Sequence, residues 1–543
     1  MEKTKEGRKG VKGMNYFKKL MSINGKKEIP SDVVPTKAKE IGIDHLTFEA
    51  LKEIINETFG NTTDLQSDVI RVGNSEGCIY YLETVVNTEM LKEMLGNTLE
   101  NSADKDIVIA TVDDLQELSK KSFGVSGYKL LKTVNHIVSS ILEGRIVIVF
   151  RGVGQALSLN YINSEGRAVA EPTTQTVVRG PKDSFVEDAS TNINLIRKRI
   201  KNHHLRFEKF MIGNETRTNV YMGYMYSIAN EKIVAEVRSR LNEIDISAVF
   251  ESANIEELIT DKSITVFPLA MNTERPDAVA TYLMDSKIVI IIDGSPFVLI
   301  VPAVLTDFFT SPEDNYQNYF MSSFVRLIRY ISFMIGLIMP SAYVGVLTFH
   351  PELLPTTLLL SVIAQREDVP FPAVVEVFIM EITFEILREA GVRMPRAVGQ
   401  TVSIVGALVI GQAAAEAGII SNIMVIIVAI TAIANFVFPN YNFANASRLI
   451  RFVLIIVASI LGLYGVLLIL VFMVAHLSSL RSFGVPYLAP VAPFIVEDQK
   501  DVFVRLPIWS ISKRPSYLSP NIKNKQKPQG SPSPPKPESG KKQ

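Results

Sequence analysis

The sequence predicts an α/β amino-terminal region of two related subdomains, followed by an all-α polytopic membrane domain. Three observations lead there. Hydrophobic residues make up 47% of the chain and the mean hydropathy is +0.21, above the soluble norm, with the excess lying between Ile331 and Leu477. The 543 residues exceed the roughly 250 to 300 at which one hydrophobic core stops growing. The region before the apolar block also repeats itself: IVSSILEGRIVIVFRG, from Ile137 to Gly152, aligns without a gap to VATYLMDSKIVIIIDG, from Val279 to Gly294.

Residues 1–40 are Lys-rich with few apolar positions and read as a disordered basic tail, solvated or touching anionic lipid headgroups. This stretch lacks the apolar centre of a secretory signal, so the soluble part is expected to stay in the cytoplasm. From residue 41 helical and strand patterns alternate. Each copy of the repeat runs from a helix end through a turn and a basic residue (Arg145, Lys287) into a β-branched run and a glycine. A second extended run follows, QALSLNYI or PFVLIVPA, so each copy predicts strand, tight turn, strand. Upstream, IYYLETVVNTEMLKEML and YMYSIANEKIVAEVRSRL correspond as strand, turn and helix. Two α/β subdomains are expected, 41–185 and 186–320; the competing explanation is that Val/Ile-rich hairpins resemble one another cheaply.

Residues 321–480 form the expected membrane domain of 4–6 hydrophobic helices. Ile331–Phe349, Val398–Ile420, Ile423–Phe438 and Leu449–Ala475 approach or exceed the roughly 20 apolar residues that cross hydrocarbon. Gly399, Ser403, Gly406, Ala407, Gly411 and Ala415 would let helix backbones approach closely. Leu353–Ala364 is too short to cross. The segment from Phe371 places Glu376, Glu381 and Glu385 among apolar residues, with Glu381, Glu385 and Arg388 on one helical face. Arg326 and Arg329, just before the first span, put the amino-terminal domain inside. The remaining topology conflicts. If the Glu-rich helix crosses, five crossings leave the basic carboxy tail outside; if it lies in the interface, Arg388, Arg393 and Arg396 fall on the wrong side. Residues 481–543 read as a carboxy-terminal segment that becomes a polar, Pro-rich disordered tail after Pro493.

The chain offers little for catalysis. Lys+Arg and Asp+Glu are 56 each, which removes any global argument for a nucleic acid partner. The one cysteine, Cys78, reads as a small buried residue and cannot build a thiolate zinc site. Gly152-Val153-Gly154 fits a hairpin turn better than a phosphate loop, and His203-His204 fit loop residues better than metal ligands. No enzyme, cofactor or metal site is expected.

The irregular motifs are more informative: RGPKDSF from Arg179, ERPD from Glu274, DGSPF from Asp293, SPED from Ser311, HPELLPT from His350 and SFGVPYLAP from Ser482. In order and wording they resemble the A subunits of the GerA family, the nutrient germinant receptors of bacterial endospores, from about Ile41 to Pro493. The resemblance implies a multi-pass protein of the inner spore membrane with its amino-terminal domain on the core side. It implies work with a transporter-like, nutrient-binding B subunit and a lipoprotein C subunit, and a homo-oligomer acting as a nutrient-gated ion channel.

For such a channel the candidate pore or gating residues are Glu376, Glu381, Glu385, Gln400, Gln412, Glu416, Gly406 and Pro340, the carboxylates because acidic rings favour cations. A structural ion-pair face of Glu381 and Glu385 with Arg388 is the alternative. Candidate subunit-contact residues are Arg179, Gly180, Pro181, Phe185, Arg275, Pro276 and Asp277, together with the Arg197-Lys198-Arg199 helix. A secondary transporter, a non-conducting scaffold and the family's paralogue associated with dipicolinate release are the other readings that remain open.

Overall fold

The structure is a computed structural model; it describes residues 41–527 and 530, except 61, 103–108, 122–127, 162–170, 173, 263 and 395–410. The soluble region is built twice. In the first copy strands β1 (Leu65–Val72), β2 (Ser75–Leu82), β3 (Lys129–Leu131), β4 (Ile146–Phe150) and β5 (Ala156–Leu159) form a sheet of order β1-β2-β4-β5-β3. In the second, β6 (Leu205–Ile212), β7 (Thr218–Met225), β8 (Met271–Thr273), β9 (Ile288–Ile292) and β10 (Val298–Val301) form β6-β7-β9-β10-β8. The order is the same in both, so the likeness of IVIVF and IVIII belongs to a repeated unit rather than to strand composition. Every pairing is antiparallel, although alternating helices and strands more often accompany parallel sheets.

Helices cover both faces of each sheet, which is why β4 and β9 carry unbroken apolar runs. In the first copy α1 (Phe48–Phe59) and α4 (Val134–Leu142) pack on Cys78, Val147 and Val149, while α2 (Thr88–Ser102) and α3 (Val112–Lys121) cover Ile146, Ile148 and Phe150. The second repeats this with α5 (Ala189–Arg199) and α8 (Pro276–Met284) on Val289 and Ile291, and α6 (Glu231–Glu243) and α7 (Ser252–Ile259) on Ile288, Ile290 and Ile292. Each five-residue strand thus feeds two cores by simple alternation.

The two copies are stapled at one loop. Thr63 N–H donates to the Phe207 carbonyl at 3.0 Å and Phe207 N–H to Thr62 Oγ1 at 3.1 Å. Arg197 closes the joint with a fork onto Asp64, Nε–Oδ2 2.8 Å and Nη2–Oδ1 2.9 Å, both side chains buried. Beside it Arg206 stacks 3.6 Å over Tyr226, next to His203 and His204. The histidines are half-buried rather than free in a loop.

The helical domain begins at α9 (Tyr319–Phe349), followed by α10 (Thr356–Arg366), α11 (Ala373–Arg393), α12 (Asn422–Phe436) and α13 (Tyr441–Ser479). Among the described residues α9 and α13 are long and apolar enough to cross a membrane, and α12 is a shorter apolar helix. The sequence reading of Leu449–Ala475 as one span is corrected here. Gly462 has φ 66° and ψ −151°, a region open essentially to glycine, and the chain doubles back there. A Cβ on Gly465 would lie 2.6 Å from Val457 Cγ1, a contact that a straight helix forbids. At the other end the Phe267 ring is 6.3 Å from both Phe443 and His476, residues about 50 Å apart in an unbroken helix. α13 is therefore a hairpin of two arms whose tip packs on the end of α9.

After the hairpin, the SFGVPYLAP segment re-enters the second subdomain. Ala303 N–H donates to Ser482 Oγ at 3.1 Å, Leu305 N–H donates to the Tyr487 carbonyl at 2.8 Å, and Phe483, Val485 and Ala489 join its core. Nor does the chain become a tail after Pro493, as composition suggested. Arg514 Nε donates to the Met284 carbonyl at 2.8 Å, Asn521 Nδ2 to the Ala229 carbonyl at 2.7 Å, and Leu518 is buried. The segment expected to be disordered is folded against the soluble domain through residue 527, because its few apolar and arginine side chains find sites there.

Two predictions follow from these joints. Gly462→Val should cost at least about 1–3 kcal/mol from backbone strain alone, read as a lowered unfolding midpoint of the detergent-solubilised chain; an unchanged midpoint contradicts the hairpin. Burial, and then the adjacent His203, push the His204 imidazole down to about 4. The unfolded chain takes up that proton near pH 6.5, so the histidine's contribution is intact above pH 6.5 and is lost as pH falls towards about 4. His204→Gln should flatten the pH dependence of the melting midpoint across that window relative to the parent chain; identical pH profiles would count against a half-buried neutral imidazole.

Candidate functional site

The helical domain concentrates charge where it is expensive to keep. Pro340 lies inside α9 and has no N–H, which leaves the Gly336 carbonyl without its helical donor. Arg451, on the first arm of α13, supplies the missing donor: Nη1 lies 3.3 Å from Gly336 O. The same guanidinium pairs with Glu381 of α11 at 3.0 Å, and each side chain is only 2% exposed. One arginine thus ties three helices together and neutralises a buried carboxylate.

The other two glutamates of α11 are also engaged. Glu385 accepts from Arg448 at 2.8 Å and pairs with Arg388. Arg388 also donates to Tyr441 Oη at 3.2 Å. Glu376, fully buried, accepts from the Ser421 N–H at 2.6 Å and from its hydroxyl, at the amino end of α12. It therefore faces the positive end of that helix, with Arg366 Nε 3.5 Å away. The alternative of a structural ion-pair face describes Glu385 and Arg388 well; Glu381 pairs across to α13 instead of along its own helix.

Gln412 and Glu416 are different: both are exposed, Gln412 Nε2 donates to Glu416 Oε1 at 2.8 Å, and no cation among the described residues pairs with Glu416. Gln400 and Gly406 lie outside the described residues. Of the carboxylates that the sequence groups together, three serve the inside of the chain and one faces out.

The soluble motifs are likewise spent internally. Arg275 is buried and donates to the carbonyls of Gln175 (3.2 Å) and Pro181 (3.0 Å) and to Asp277 Oδ2 (2.8 Å). Tyr316 Oη donates to the same carboxylate oxygen at 2.6 Å. Gly180, at φ +145°, leaves room for the Tyr316 ring, since a Cβ there would sit 2.8 Å from it. Pro276 starts α8 and Phe185 lies in the core, while Arg179 is exposed, its N–H 3.4 Å from Glu313 Oε1. RGPKDSF, ERPD and SPED thus form one clamp around the base of α9. Its centre is Asp314, which pairs with Arg329 at 2.8 Å and Arg326 at 3.2 Å; Arg326 also holds Asp501 at 2.9 Å. The two arginines that suggested an orientation also bolt α9 to the soluble domain and to the carboxy-terminal segment.

Sequence reasoning missed Arg448 and Arg451. Two arginines three residues apart within NASRLIRFVL were the available signal, since charges there require buried partners.

The sequence pattern of the Bacillus/Clostridium GerA spore germination protein family matches residues 53–517. The chain is 43% identical to spore germination protein KA of Bacillus subtilis (strain 168), over 92% of this chain and 90% of that protein. It is 36% identical to spore germination protein GerLA of Bacillus cereus, over 87% and 95%. Among solved structures it is similar to the N-terminal domain of the A subunit of the Bacillus megaterium spore germinant receptor GerK3, at 28% identity and a TM-score of 0.39, covering 50% of this chain and 98% of that one. The chain belongs to the GerA family of spore germination proteins.

Proposed function

We propose that this chain is the A subunit of a nutrient germinant receptor, an oligomeric cation channel of the inner spore membrane that opens with a nutrient-binding B subunit and a lipoprotein C subunit. Its amino-terminal domain lies on the core side. The observation that carries the reading is the sorting of carboxylates. Glu376, Glu381 and Glu385 are neutralised within the chain, whereas Glu416 and Gln412 stand on an outer face. A carboxylate on an outer face has no stabilising partner in lipid. Repeated around a symmetric assembly, it supplies the acidic ring that favours cations.

The topology supports the same reading. α9 leads away from the soluble domain and α11 returns, Glu376 lying near the far end and Arg388 beside Tyr441 at the near end. The chain then reaches the far end again by Ser421, whose hydroxyl lies 3.3 Å from Tyr343 Oη. α12 returns, and the α13 hairpin adds one arm in each direction. Both ends of the helical domain then lie on the side of the amino-terminal domain, which supports a topology with the carboxy-terminal segment inside. Arg326, Arg329, Arg388 and Arg393 then share the side of the amino-terminal domain.

In reconstituted receptor, Glu416→Gln should lower the cation-to-anion permeability ratio while leaving assembly intact. Glu385→Gln should reduce the yield of folded chain and leave the selectivity of what remains unchanged. Selectivity that moves with Glu385 and not with Glu416 would overturn the assignment, and absence of any conductance from the assembled receptor would favour a scaffold.

A further inference from the structure

Glu376 does more than hide a charge: its side chain joins several parts of the helical domain, and one of them carries Glu416. Glu416 ends the helical stretch 411–416. The chain reverses directly after it. Ala417 N–H donates to the Ala413 carbonyl at 2.9 Å, Gly418 N–H to that of Ala415 at 3.1 Å and Ile419 N–H to that of Ala414 at 2.9 Å. Gly418, at φ +65°, is the left-handed residue that closes a helix in this pattern. Ile420 is buried, and α12 starts from Ser421. On the return Val425 packs against Gly411, where a Cβ would lie 3.3 Å from Val425 Cγ1. The stretch 411–416, the turn and the start of α12 thus form one stiff hairpin, and whatever holds its Ser421 end sets where Glu416 stands.

Glu376 holds that end. Its Oε1 accepts from the Ser421 N–H at 2.6 Å and from the Ser421 hydroxyl. A backbone N–H at a helix N-cap has no helical acceptor of its own, so this bond fixes the hairpin to α11. The other oxygen, Oε2, accepts no hydrogen bond and faces Arg366 Nε at 3.5 Å. Arg366 is the only charged residue of α10. The loop after it touches the turn as well, the Asp368 carbonyl lying 3.4 Å from where a Gly418 Cβ would be. The exposed Glu416 is therefore tied, within five residues, to a carboxylate that is 0% exposed.

We infer that Glu376 is a positioning residue for Glu416: through Ser421 it fixes the hairpin that sets where the Glu416 carboxylate stands, and Arg366 of α10 neutralises it in that role. The charge contact to Arg366 has no hydrogen bond to lock its geometry, so a displacement of α10 would pass through Glu376 to the hairpin. This inference rests on the acidic-ring reading above and names what sets the geometry of that ring.

In reconstituted receptor, Glu376→Ala and Arg366→Gln should each lower the cation-to-anion permeability ratio of the channels that assemble. Neither should lower it further once Glu416→Gln is present, because both act through that carboxylate. Glu376→Gln, which keeps an acceptor for the Ser421 N–H, should lower the ratio less than Glu376→Ala. A purely structural role gives fewer channels with the parent ratio; that result, or a loss that adds to the loss from Glu416→Gln, overturns the inference. A second readout does not depend on the ring. In the Cys78→Ser chain in membranes, modification of Glu416→Cys by a charged methanethiosulfonate should change several-fold in rate when Glu376→Ala or Arg366→Gln is added. An unchanged rate overturns the positioning role whatever the channel does. If Glu416→Gln leaves the permeability ratio untouched while the thiol rates still shift, the acidic ring fails and the positioning stands. Arg366 is partly exposed, so its variant carries both readouts if Glu376→Ala does not accumulate.

Discussion

A charge held in an apolar helical domain must find its opposite within reach, and in this protein that requirement is met at Arg451. Its guanidinium answers two needs at once, the carbonyl that Pro340 leaves without a donor in α9 and the carboxylate of Glu381 in α11. Removing either partner would leave the other buried and unpaired, at several kcal/mol. The first arm of α13 is thereby fixed between α9 and α11. The arm's far end then has to meet the tip of α9, where only a glycine allows the chain to turn back.

The same logic operates at the base. Asp314 gathers Arg326 and Arg329 and, through Arg326, Asp501 of the returning carboxy-terminal segment. The soluble domain, the first long helix and the carboxy-terminal segment are therefore joined at that point. The RGPKDSF and ERPD loops wrap the outside of this joint through Arg275 and Tyr316. A signal that reached the soluble domain would be delivered to α9, and one that displaced the α13 hairpin would be felt in the second subdomain through Phe443 and Leu477. The contact between these parts runs through named ion pairs.

Much of this was legible in the sequence. The internal repeat, the apolar block and the family motifs are local patterns, and local patterns survive without coordinates. IVIVF and IVIII read as buried strands because a run of β-branched residues has few other uses. What stayed hidden depended on pairing across distance. Gly462 is one glycine among several in an apolar run, and nothing local announces that it reverses the chain. The glutamates of α11 look alike in one dimension, yet Arg366, Arg448 and Arg451 neutralise them while Glu416 is left facing out. Residues 494–527 have the composition of a tail and are ordered by sites on a domain more than two hundred residues earlier in the chain.

The claim most open to direct test is that the Arg451–Glu381 pair is held within one chain and ties its helices. A double-mutant cycle of Arg451→Leu and Glu381→Leu, read as unfolding free energy in mixed micelles, measures it. Each single change should cost about 3–5 kcal/mol, and the double change should cost less than either, because no buried charge is then left alone. Costs that simply add, or single changes that cost nothing, would contradict it.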